Sequence, residues 1–102
     1  MNIRLLPEAV DEADEAALWY DTRRSGLKEE FHAELDLAWA AIEERSHGMP
    51  ALEGYSGLFD VRRHLLKRFP YVVIFAYDEQ ECLIVAVAHT RRKPLYWLDR
   101  LN

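Results

Sequence analysis

Two apolar runs dominate the second half of the chain and restrict what it can fold into. YVVIFAY (71–77) and ECLIVAVAH (81–89) are separated only by Asp78, Glu79 and Gln80. Both are rich in β-branched and aromatic residues and bounded by polar turns, so both predict strands. The segment from Leu58 to Leu66 predicts a third, with Phe59, Val61 and Arg63 on one side and Asp60, Arg62 and His64 on the other. Three consecutive strands with short turns favour an antiparallel meander. Antiparallel strands usually alternate, with one face in water. The two long runs are apolar on both faces, so two covers are needed. A helical layer can supply one. The other must come from the C-terminal segment, a second copy or a partner chain.

The first half supplies the helices. Asn2–Leu6 reads as a short first strand. Pro7 suits the first turn of a helix, where its missing N–H costs nothing. The acidic residues Glu8, Asp11, Glu12, Asp14 and Glu15 complement the positive end of that helix. Ala9, Ala13, Ala16 and Tyr20 form one stripe, and Ser25–Gly26 ends the helix just after Arg23–Arg24. Leu27, Phe31, Leu35, Ala38, Trp39 and Ile42 then recur at helical spacing to about Ser46. So short a break predicts a helical hairpin. HGMPALEGYSG (47–57) reads as a loop. The expected architecture is α+β: an N-terminal strand, a two-helix hairpin on an antiparallel sheet, and a short C-terminal tail, all in one domain over 1–102.

Charge is unevenly spread. The chain carries a net −5, but residues 1–60 sum to −9 and residues 61–102 to +4. A basic patch is therefore expected on the second half despite the acidic whole. Cys82 has no partner for an intramolecular disulfide, which suits a reducing cytoplasm. No apolar run is long enough for a membrane span, and residues 1–16 show no secretory h-region. The histidines show no metal spacing with Cys82, so neither metal nor cofactor is expected.

WYDTRRSGLKEEF (19–31), VRRHLLKRFPYVVIF (61–75) and AVAHTRRKPLYW (86–97) together resemble the RelE/ParE superfamily of type II toxins, most closely its ParE-like, plasmid-stabilisation branch. The resemblance runs through nearly the whole chain. It implies a cytoplasmic toxin held inactive by a cognate antitoxin, with a homodimer as a further possibility. For the ParE-like branch it implies DNA gyrase as target. For RelE-type members it implies ribosome-dependent mRNA cleavage, an enzymatic reading. A third reading is a degenerate, non-toxic member that only binds a partner.

The resemblance also directs attention to particular side chains. His89, Arg91 and Arg92 become candidate catalytic residues, with His89 as acid or base. Arg62, Arg63, Arg68 and Tyr96 become candidates for target or phosphate contact, the arginines through their planar forks and Tyr96 by stacking. Adjacent strand positions point to opposite faces, so Arg62 and Arg63 cannot join the same cluster. Trp39 and Trp97 are expected in the core.

Overall fold

The computed structural model describes residues 2–101. Strand β1 (Asn2–Leu5) leads into helix α1 (Pro7–Arg23) and helix α2 (Leu27–Arg45). A short turn at Ser46–Gly48 and a loop follow. Strands β2 (Asp60–Leu65), β3 (Tyr71–Tyr77) and β4 (Glu81–His89) come next, and the tail ends in a 3-10 turn at Leu98–Leu101. The α+β architecture expected from the sequence is the one observed. β2, β3 and β4 form the antiparallel meander, and β1 adds to the far side of β4 in parallel, giving the order β1-β4-β3-β2. The sheet is therefore mixed. A parallel neighbour needs a crossover, and the helical hairpin with β2 and β3 supplies it.

The helix ends follow local chemistry. Leu6 offers no capping side chain, and Pro7 begins α1. Between the helices Gly26 adopts φ 96°, a left-handed conformation that an L side chain adopts only with strain. The Asp21 carboxylate accepts hydrogen bonds from the N–H groups of Gly26 and Lys28, at 3.1 and 3.4 Å. The turn thus satisfies donors at the start of α2 that helical geometry leaves free.

Each sheet face has its own core. On one side Phe31, Leu35, Ala38 and Ile42 of α2 and the alanine stripe of α1 pack on Val73, Phe75, Ile84 and Val87. Trp39 is partly buried against this cluster, at its margin rather than its centre. Full burial of each large side chain here is worth about 1.5–3 kcal/mol. On the other side Val61, Ile74, Val85, Ala86 and Ala88 pack with Trp97, itself 1% exposed. Leu6, Leu52, Tyr55, Leu95, Tyr96 and Leu101 complete that layer. The second cover is thus the chain's own tail and loop. Of the three sources the sequence left open for this cover, the C-terminal segment supplies it, so an uncovered sheet face is no reason to expect a second copy or a partner chain.

A bulge in β4 makes this possible. Ile74 pairs with Ala86 and Phe75 with Ile84, so Val85 has no opposite number. The extra residue breaks the alternation. Val85 and Ala86 consequently both join the tail-side core, between Ile84 and Val87 of the helix-side core.

Candidate functional site

β1 pairs with β4 only as far as Leu5 and Ile84. The Leu6 N–H then donates to the Ile84 carbonyl, and the chain turns away into α1. Beyond this point β4 has an edge without a strand partner, and buried backbone groups must find other ones. Two side chains replace the missing strand. Glu12 of α1 accepts the Val87 N–H at 3.0 Å, and Arg100 of the tail donates to the Val85 carbonyl at 3.0 Å.

Glu12 is the centre of a larger cluster. Arg100 grips it with two nitrogens at 2.9 and 3.0 Å, and the Tyr96 hydroxyl donates to it at 2.5 Å. Arg92 stands 3.6 Å away and lies over the Tyr96 ring at 3.9 Å. The Glu12 and Arg100 side chains are only 12% and 16% exposed. Burial pushes the Glu12 carboxyl upward, but hydrogen bonds from Arg100, Tyr96 and the Val87 N–H outweigh it and hold its pKa below the ordinary value. Burial and the Glu12 carboxylate push the Tyr96 phenol far above its usual range, so Tyr96 serves as a donor and not as a base.

A depressed carboxylate pKa stabilises the fold above the unfolded pKa, and that stability is lost as pH falls through the folded value. Tail anchorage should therefore weaken below about pH 4, where ordinary glutamates protonate. The expected sign is loss of the Trp97 indole N–H resonance on acidification while helical circular dichroism persists. A Trp97 resonance unchanged down to about pH 2 would show that Glu12 ionisation does not hold the tail.

The candidate residues do not converge on one point. Arg92 and Tyr96 join at Glu12. His89 lies at the end of β4, with its ring edge 5.2 Å from Tyr71, and its Nδ1 accepts the Arg91 N–H at 3.0 Å. Arg63 shares the tail-side face with Val61 and stands opposite Ile74. The Arg63, Arg91 and Lys93 side chains form no hydrogen bond or ion pair among the described residues, so their charge is available.

Arg62 and Arg68 go elsewhere. Arg62 points to the helix side, where it holds Asp60 at 2.9 and 3.0 Å and the Ser46 carbonyl at 2.7 Å, and lies over Tyr77. Its donors are committed to tying β2 to the end of α2. Arg68, in the β2–β3 turn, pairs with Glu30 of α2. Glu12 and Arg100, which organise the cluster, were not singled out by sequence reasoning. The only signals were Glu12 beside the alanine stripe and an arginine near the C-terminal end.

The matched model for the family described as ParE toxin of the type II toxin–antitoxin system, parDE, spans residues 3–94. The chain belongs to this family. The match includes Glu12 and β4 but stops before Tyr96 and Arg100. A solved chain from a chromosomal ParDE toxin–antitoxin system of P. aeruginosa shares the fold, with a TM-score of 0.66 at 16% identity, over 87% of this chain and 95% of that one. No curated relative matches the chain. Among the described residues no helix is long and apolar enough to cross a membrane.

Proposed function

We propose that this member of the ParE toxin family stops growth by binding DNA gyrase through the basic rim at its C-terminal tail, in the cytoplasm, and that a cognate antitoxin neutralises it. The observation that carries this reading is the division of labour among the cations. Arg63 on the tail-side face and Arg91 and Lys93 just beyond β4 have no acidic partner among the described residues, while the groups an mRNA nuclease would use are engaged. The Tyr96 hydroxyl donates its hydrogen bond to Glu12, Arg62 is committed to Asp60 and the Ser46 carbonyl, and His89 Nδ1 accepts a backbone N–H. Such an arrangement favours holding an acidic protein surface over in-line phosphate cleavage, which needs an acid, a base and a phosphate clamp converging on one point.

The test is inducible expression, with DNA-damage response and translation read separately. The expected result is early induction of the damage response with protein synthesis continuing, relieved by co-expressing the neighbouring gene product. His89→Gln should leave growth inhibition within about twofold, whereas loss of a catalytic acid or base costs about 10²–10⁴-fold. Early arrest of translation with cleaved mRNA, abolished by His89→Gln, would instead establish the nuclease.

A further inference from the structure

The tail bridges the sheet rather than lying flat on it. Beneath it is a cleft of about 190 Å³, floored by Val72, Ile74, Ala88 and Trp97. Arg92 and Lys93 stand on its rim, and among the described residues Glu53 is the one acid lining it. Leu95, which also lines the cleft, has φ 61°, a left-handed conformation unusual for a branched side chain. Backbone strain of this kind persists only where surrounding contacts enforce it. Here the enforcing contacts are visible. Arg92 on one side of Leu95, and Tyr96 and Arg100 on the other, all reach Glu12. The carboxylate thus holds the tail in an arch over an apolar floor.

Size and charge narrow the occupant. Small-molecule sites run to about 300–1,000 Å³. This cleft is smaller and admits one bulky side chain. Lys93 lines it, exposed Arg91 lies two residues before Lys93 in the chain, and neither has an acidic partner among the described residues; Arg63 stands opposite Ile74 in the strand register. We infer that the cleft seats a bulky apolar side chain from an acidic peptide segment of the target protein, with flanking carboxylates on Lys93, Arg91 and Arg63. The inference rests on the reading of this face as the target surface and specifies what that surface recognises.

The probe is an acetylated, amidated peptide with one phenylalanine between two pairs of glutamates, titrated into the whole protein and followed by NMR and anisotropy. Resonances of Ile74, Ala88 and Trp97 should shift. Replacing the phenylalanine by alanine in the peptide should weaken binding about tenfold or more, as loss of a buried aromatic anchor does. Ala88→Leu, which adds volume in the core beneath the tail without changing charge, should weaken it similarly when compared at matched folded protein. Lys93→Glu, at an exposed position, should weaken it several-fold with thermal stability unchanged. Equal binding of the phenylalanine and alanine peptides would overturn the inference. So would equal binding by Ala88→Leu, displacement of the peptide by a single-stranded oligonucleotide of matching charge, or self-association that fills the cleft with a second copy. The gyrase reading fails separately, when expression raises no damage response. An Ala88→Leu variant that loses the peptide yet poisons growth fully overturns the cleft alone.

Discussion

Glu12→Ala is expected to release the C-terminal tail and to destabilise the whole domain by about 3–5 kcal/mol, the usual cost of removing one member of a buried ion pair. The loss is large because several groups fail together. The Arg100 guanidinium, only 16% exposed, keeps its charge without its partner. The Val87 N–H loses its acceptor on an edge of β4 that β1 does not reach. Tyr96 loses the acceptor of its hydroxyl. Against a total stability of about 5–15 kcal/mol, such a change leaves a marginal protein. Tyr96→Phe removes one donor and leaves the ion pair, so it should cost only about 1 kcal/mol. Urea denaturation compares the two, with Trp97 reporting on the tail. If Glu12→Ala proves no worse than Tyr96→Phe, the cluster contributes little and the tail is held by Trp97 alone.

The weight carried by Glu12 shows where sequence reading succeeds and where it stops. Periodic elements were legible because periodicity is local. The alanine stripe, the α2 spacing and the β-branched runs each declare their own element. The meander followed from short turns, and the burial of Trp97 from its size and apolar surroundings. The cover for the second sheet face could be narrowed only to three sources, because residues 90–101 have no period to read. The parallel placement of β1 depends on a partner nearly eighty positions away in sequence. Glu12 looked like one of five acids at a helix start, and its partner Arg100 lies 88 residues distant. Alternation along β2 separated Arg62 from Arg63. It could not tell which of them would be consumed by Asp60 and the Ser46 carbonyl. At Val85 alternation itself failed, because a bulge is a property of the paired strands.

Arg91→Ala combined with Lys93→Ala is expected to abolish growth inhibition while leaving the fold intact. Sequence alone pointed to Arg91 with Arg92. The structure changes the choice, because Arg92 stands 3.6 Å from Glu12 and over the Tyr96 ring, so its removal also disturbs the tail anchor. Arg91 and Lys93 are exposed, and their side chains form no ion pair among the described residues. Exposed substitutions of this kind usually change stability by less than about 0.5 kcal/mol. Loss of activity in this variant would therefore be a loss of contact and not of folding. Charge reversal by Arg91→Glu and Lys93→Glu should be at least as severe, since like charges across an interface repel. Arg62→Ala provides the contrast: it should lower the melting temperature by releasing Asp60 and the end of α2, and reduce toxicity only in step with that loss of folded protein. The measurement is growth after induction at matched soluble protein, alongside thermal melts of each variant. Full toxicity of the Arg91 and Lys93 double variant at wild-type abundance would remove the basic rim from the mechanism and move the search for the target surface elsewhere on the molecule.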